Sequence, residues 1–271
     1  MAAITSEVVK ELRDSTNLPM MKCKQALEAT NGDKVAAIDW LRKQGISAAD
    51  KKAGRVTTNG SIGMTIEGGN GVLVLLGCET DFVAGNQAFK DFVAALAKAA
   101  LTSGAKDVDS LNAAPFPGSA SVKEAVTAQV LKLGENIKVA AVSRLSGQLV
   151  TGYNHAGKIA TLVSGSGESE SLRKVAMHVA SVAAAPVSLT RNDVDPALIA
   201  KEKEILLATP DVQAKPEAIR PKIVEGKIGR FYKENVLLEQ EMLLDAEKGE
   251  TVEAYAKRHG LTVSGFVRLA I

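Results

Sequence analysis

Val72-Leu73-Val74-Leu75-Leu76-Gly77-Cys78-Glu79-Thr80-Asp81-Phe82-Val83 is the stretch on which the fold turns. Its first five residues are an apolar, β-type run and predict a buried strand. Beyond Val83, the residues Phe89, Phe92, Val93, Leu96 and Ala97 recur at helical spacing. Glu79-Thr80-Asp81-Phe82-Val83 therefore occupies a strand-to-helix turn, where rigid elements commonly present functional side chains. Pattern alone leaves two readings. Thr80 or Asp81 caps the helix and Phe82 packs in the core, or an acidic side chain and a large aromatic sit together at a turn that carries function.

Outward from this turn the chain reads as α+β. Residues 61–66 and 71–78, split by Gly68-Gly69-Asn70-Gly71, give a β-hairpin signal. An Ala-rich helix follows to about Leu101, then a loop over 112–118, a helix over 122–133 stopped by Gly134, and a strand over 137–145. The pattern then recurs: a second hairpin over 148–153 and 158–164, a helix over 171–184, and a last strand over 262–271 that echoes the earlier one. Two similar α+β subdomains are expected, each an antiparallel sheet covered by helices. They span 55–146, and 147–187 with 234–271. Between the last two pieces, 188–233 reads as an inserted helical hairpin. Asp195-Pro196 opens its first arm, and the second arm runs from near Pro221 to Lys233.

Residues 4–45 read as three short helices, within an N-terminal unit of 1–54. Val8, Val9 and Leu12 stripe the first, and Met21, Ala26 and Leu27 offer the buried side of the second. Asp33 caps a third that carries Val35, Ile38 and Leu41 and ends at Gly45. Lys51-Lys52-Ala53-Gly54-Arg55 reads as a basic linker or a solvated charge run.

Composition excludes more than it selects. The 33 basic and 31 acidic residues leave a net charge of +2, no strong drive toward nucleic acid or an anionic membrane. Aromatics are only 4%, too sparse for base-stacking platforms. Cys23 and Cys78 lie far apart, which fits reduced thiols in a cytoplasmic protein. The N-terminus shows neither a signal peptide nor an Arg-rich transit peptide, and no apolar run is long enough to span a bilayer.

Chemical motifs are equally thin. Gly152-Tyr153-Asn154-His155-Ala156-Gly157-Lys158 fits most of a phosphate-binding loop, but Ile159 stands where the Mg²⁺-binding hydroxyl belongs. The residues after it favour strand, whereas a phosphate loop must feed a helix N-terminus. The histidines are scattered: His178 is expected to be packed in a helix, and His259 to sit near a helix end. No metal or cofactor is expected, and nothing argues for acid–base or nucleophilic catalysis. A non-enzymatic binding protein fits better.

The Glu79–Val83 turn, ETDFV, resembles the signature of the translation elongation factor Ts family. The N-terminal runs VVKELRDST, MMKCKQAL and NGDKVAAIDWLRKQG are similar to that family too. KKAG, GENIKV, YNHAGKI, AMHVA and KIVEGK follow in the family's order, so the resemblance covers nearly all of the chain. It implies a ubiquitin-associated-like N-terminal bundle. It also implies guanine-nucleotide exchange on elongation factor Tu, by which GDP is released and GTP rebinds. Thr80, Asp81, Phe82 and Val83 would form the partner-binding motif that disturbs the Mg²⁺ region, with Phe82 as wedge. Lys10, Arg13, Met20, Met21 and Lys24 would dock the N-terminal unit, where core packing is the rival for each Met. Lys52, in the matching KKAG run, would be a further partner contact. Ile137 would touch the partner, against a rival reading as sheet core, and His155 would contact the partner's other end. Some relatives extend past the last strand with a docking helical module, whose contribution is missing where this chain stops at Ile271. In the family the inserted hairpin can support a homodimer, but Pro221, Gly226 and Gly229 interrupt the heptads here. The rival functions are a ubiquitin-associated-type protein-binding adaptor working through 4–45, and, third, an acyl- or phosphoryl-transfer enzyme using His155 and Lys158.

Overall fold

The computed structural model describes residues 4–16 and 18–271. Three helices come first: α1 (Ser6–Thr16), α2 (Met20–Ala29) and α3 (Lys34–Lys52). Then follow β1 (Asn59–Glu67), β2 (Asn70–Cys78), α4 (Asp81–Gly85), α5 (Gln87–Ser103), α6 (Val108–Ala113), α7 (Val122–Leu133) and β3 (Lys138–Ser146). The second half carries β4 (Leu149–His155), β5 (Ile159–Ser166), α8 (Ser169–Ser181), α9 (Pro196–Ala208), α10 (Pro210–Gln213), α11 (Arg220–Asn235), α12 (Val252–Arg258) and β6 (Thr262–Ala270).

The strands form two antiparallel sheets, ordered β1-β2-β3 and β4-β5-β6. Alternation along each strand sorts the side chains into layers. From β2, Val72, Val74, Leu76 and Cys78 point to a core shared with α5 and α7, while Leu73 points the other way. Leu73 meets Ile62 of β1, Val150 of β4, and Ala160 and Leu162 of β5 in a separate cluster, so the two sheets stack face to face. The outer face of the second sheet is covered by α8 and α12 through Val163, Leu172, Val175 and Tyr255. The duplication read from sequence is present in detail. β3 and β6 share one burial pattern, and the pairing register passes over the third residue of each, Ala140 and Ser264. The same bulge at the same place bends both third strands alike.

Several boundaries differ from the sequence reading. α3 does not end at Gly45 but runs on to Lys52. A helix-terminating glycine needs a left-handed backbone; Gly45 is helical and serves close packing instead. A side chain there would come within 3.2 Å of Thr127 on α7. Leu131 of α7 joins the core of the N-terminal helices, and Arg42 pairs with Glu124 at 2.9 Å. Lys51 and Lys52 thus belong to a helix. In α2, Met21 is 62% exposed and Cys23 takes the buried place expected of it; Val35 of α3 is also exposed. α11 runs through Pro221, Gly226 and Gly229 without a break. Pro221 falls in the first turn, where its missing N–H is not needed. Each glycine costs only about 1 kcal/mol, against which Val224 and Ile228 pack with Val212 in the hairpin's own core.

His178 is fully buried on α8, as the sequence suggested. Its Nδ1 accepts from Leu243 N–H at 3.3 Å, so Nε2 carries the proton and donates to Gln240 Oε1 at 3.1 Å. Burial holds its pKa below 6.5. The unfolded chain therefore takes up this proton at higher pH than the folded one. Stability contributed by the neutral ring is complete above about pH 6.5 and is lost as pH falls through the lower, folded value. The drop in Tm between about pH 7 and pH 5 should shrink in His178→Gln, whose side chain has no such titration. An equal drop in both proteins would place the acid sensitivity elsewhere.

Candidate functional site

The strand β2 ends at Cys78 and the chain turns at once into α4, a helix of five residues. Thr80 caps it: its hydroxyl accepts from Val83 N–H at 3.3 Å. Val83 is half-buried against the α5 core and Ala84 is fully buried, so the far side of the turn is fixed in the fold. Asp81 and Phe82 point outward. Phe82 is 87% exposed, so the reading that packs it in the core falls. Phe89, seven residues on, takes that core place at 2% exposure. The half-buried Phe92 rests edge-on against Phe116, ring centroids 5.4 Å apart.

The turn is held by a loop that follows α7. Gly134 ends that helix in the left-handed conformation, φ 76°, and sends Glu135 and Asn136 toward the turn. Glu135 Oε2 accepts from the N–H groups of Glu79 (3.0 Å) and Thr80 (3.1 Å), and Oε1 from the Thr80 hydroxyl (2.5 Å). In return, Glu79 Oε1 accepts from Asn136 N–H at 2.6 Å. That bond, with the Arg55 guanidinium nearby, holds the Glu79 carboxyl below the usual carboxylate range. Asn59 Nδ2 donates to the Glu79 carbonyl at 3.0 Å, and the Cys78 thiol to the Thr80 carbonyl at 3.2 Å. Burial, reinforced by the Glu135 charge, pushes that thiol up to about 11, so it stays a protonated donor at neutral pH.

The remaining sequence-predicted residues are placed as follows. Lys10 and Arg13 on α1, and Met20, Met21 and Lys24 on α2, are exposed, which removes the core-packing reading for both methionines. Lys52 is half-buried and donates to the Gly134 carbonyl. Ile137 is 3% exposed, inside the α5–α7 core with Val130 and Val139. As a side chain presented to a partner it is a correction: it precedes β3 by one residue and points, like Val139 two residues on, to the helix layer. His155 lies exposed at the β4–β5 tip, with Nδ1 3.0 Å from the Tyr153 hydroxyl. That tip and the Glu79–Val83 turn are both tied to the start of β1, through Ile62 N–H to Gly157 O (2.8 Å) and through Asn59.

The phosphate-loop look-alike is this hairpin tip. Its Gly157 N–H donates to Asn154 Oδ1 at 2.8 Å and its Lys158 N–H to the His155 carbonyl at 2.9 Å. Those backbone donors are already used, and the chain continues into β5, not a helix. Among the described residues, no helix is long and apolar enough to cross a membrane, and no group of three His, Cys, Asp or Glu is arranged to hold a metal ion.

Sequence reasoning missed Glu135, Asn136, Asn59 and Arg55. Glu135-Asn136 lies in the GENIKV run, directly after a helix-ending glycine, but no role was read for either, because their partners lie some 55 to 80 residues away along the chain.

Comparison with known proteins agrees with the resemblance. A family model described as Elongation factor TS matches residues 79–271. A relative named Elongation factor Ts from Ruegeria pomeroyi is 42% identical over 276 residues, covering 99% of this chain and 92% of the relative. Relatives of the same name from Sphingopyxis alaskensis and Nitrobacter hamburgensis are 42% and 43% identical, each over all of this chain and 93% of their own length.

Proposed function

The chain belongs to the elongation factor Ts family, and from that premise we propose that it is the guanine-nucleotide exchange factor of elongation factor Tu in the cytoplasm. It binds that GTPase, disturbs its Mg²⁺ and phosphate site, and promotes GDP release so that GTP can rebind during translation elongation. The observation that supports this best is Phe82: a large aromatic, 87% exposed, on a turn held by hydrogen bonds to the N–H groups of Glu79, Thr80 and Val83 on either side of it. Single exposed hydrophobics are ordinary on protein surfaces. An immobilised one beside an exposed carboxylate has the character of a binding anchor.

The work is differential binding. The partner's hold on GDP must weaken when this protein is bound, and GDP must weaken this protein's hold by the same factor. In such GTPases Mg²⁺ bridges the nucleotide's phosphates and is part of how the nucleotide is retained. Phe82 enters as an apolar wedge between partner elements, and Asp81 repels or re-pairs polar groups around the metal. Neither side chain needs to touch nucleotide or to form a bond. Lys10, Arg13, Met20, Met21 and Lys24 supply affinity from the N-terminal helices, and His155 a contact from the hairpin tip.

Release of a fluorescent GDP from purified elongation factor Tu, followed at rising concentrations of this protein, tests the reading. Acceleration that saturates supports it; release at the intrinsic rate at every concentration removes it. The same titration tests the docking role. Met20→Ala with Met21→Ala should raise the half-saturating concentration about tenfold, as for a truncated anchor worth about 1.4 kcal/mol. It should leave the saturating rate in place.

A further inference from the structure

We propose that Glu135 is a positioning residue for nucleotide exchange: its carboxylate fixes Thr80 and so sets the direction in which Asp81 and Phe82 leave the fold. The proposal rests on the exchange reading above. A five-residue helix such as α4 cannot hold its own shape, because one or two internal hydrogen bonds do not offset the entropy of ordering it. Something outside must hold it. An ionised carboxylate only accepts hydrogen bonds, and Glu135 uses both oxygens on three donors, the N–H of Glu79, the N–H of Thr80 and the Thr80 hydroxyl.

The third bond does a second job. With its hydrogen committed to Glu135, the Thr80 hydroxyl can only present a lone pair to Val83 N–H, which is the cap α4 requires. The Thr80 carbonyl is taken by the Cys78 thiol. Every polar group of Thr80 is thus committed, one residue before Asp81 and two before Phe82. Glu135 is itself anchored. Its neighbour Asn136 donates its N–H to Glu79 and its amide to the Arg55 carbonyl at 2.7 Å. Each glutamate accepts from the other's segment, so neither loop can shift without releasing both. Lys52, at the end of α3, reaches the Gly134 carbonyl and joins the N-terminal helices to the same knot. A wedge preorganised this way does not lose binding free energy to ordering on contact. Misplacement by about 1 Å is enough to lower a rate on the order of a hundredfold.

The test uses the full chain with Glu135→Gln, which keeps the side chain's volume but turns an amide NH₂ toward N–H and O–H donors, and with Glu135→Ala. Three readouts are taken: hydrogen exchange of the Glu79 and Thr80 amides, GDP release from elongation factor Tu across concentrations, and thermal unfolding. Amide protection should fall at both positions. The saturating release rate should fall about tenfold or more, while the half-saturating concentration changes less than about threefold. In a background carrying both Asp81→Ala and Phe82→Ala, Glu135→Gln should have no further effect on release, because the residues it serves are gone. Saturating release within about twofold of the parent, with protection lost, would overturn the proposal. So would a loss that simply adds to that of the Asp81→Ala and Phe82→Ala pair, which would make Glu135 a contact in its own right. Normal release by Phe82→Ala alone would remove the wedge reading and the role of Glu135 with it, while the amide exchange still reports whether the clamp exists. If Glu135→Ala does not fold, Thr80→Val removes the hydroxyl's bond to Glu135 together with its cap on Val83 N–H, leaves the two backbone N–H bonds to Glu135, and should give the same split between saturating rate and half-saturation.

Discussion

Phe82→Ala is expected to leave the fold intact and to slow GDP release from elongation factor Tu about thirtyfold or more, the equivalent of about 2 kcal/mol of lost transition-state binding. The side chain is 87% exposed, so its removal creates no cavity, and Tm should stay within the range of ordinary surface changes, about 0.5 kcal/mol. The loss falls on exchange because a ring on a fixed turn meets the partner already oriented. Asp81→Ala should slow release by the second route, through the charge, again without a cavity. Thermal unfolding of the variant followed by release at several concentrations separates fold from function. A normal saturating rate for Phe82→Ala would take the wedge out of the mechanism.

Phe89→Ala is expected to do the opposite. Phe89 is 2% exposed and lies in one core with Val72, Val74 and Leu76 of β2 and Val93 and Leu96 of α5. Truncating a buried Phe loses transfer free energy and leaves a cavity, together about 3–5 kcal/mol. At roughly 2–4 °C per kcal/mol for a chain of this size, Tm should fall by about 6–20 °C. Release per folded molecule should remain near the parent's, since Phe89 faces inward and the turn is held from Glu135 and Asn59. A fall of less than about 2 °C would mean that this core closes over the gap, contrary to the rigidity of packed interiors. The two phenylalanines sit seven residues apart on consecutive helices, and their predicted phenotypes share nothing.

That contrast marks what could be read in the sequence. The stripe of Phe89, Val93 and Leu96 is periodic, and periodicity reports burial directly, so the α5 core was legible. Hairpins, helix caps at Asp33 and Asp195, and the left-handed stop at Gly134 are short-range chemistry, and the structure shows them where they were expected. The duplication was legible too, because the apolar alternation of β3 and β6 is imposed by the same position in two sheets. Phe82 precedes the stripe and belongs to no period, so pattern alone could place it inside or out. Gly45 looked like a stop because most helix-ending glycines do, and only the proximity of Thr127 shows its other use. Ile137 could be read as a contact because sequence does not say which face of a strand the residue before it shares.

By itself the sequence determined the strands and the longer helices, their order, the repeated α+β plan and the family, all of which follow from residues close together in the chain or from motifs in a fixed order. Only the tertiary structure decided that the two sheets stack face to face, that α3 continues onto α7, and that Glu135 and Glu79 lock one turn from both sides. The reason is physical. Local periodicity is set by the geometry of a helix or strand and leaves its mark in neighbouring residues. A carboxylate clamp is set by where two loops meet after 55 residues of intervening chain have folded, and neither loop alone carries its signature.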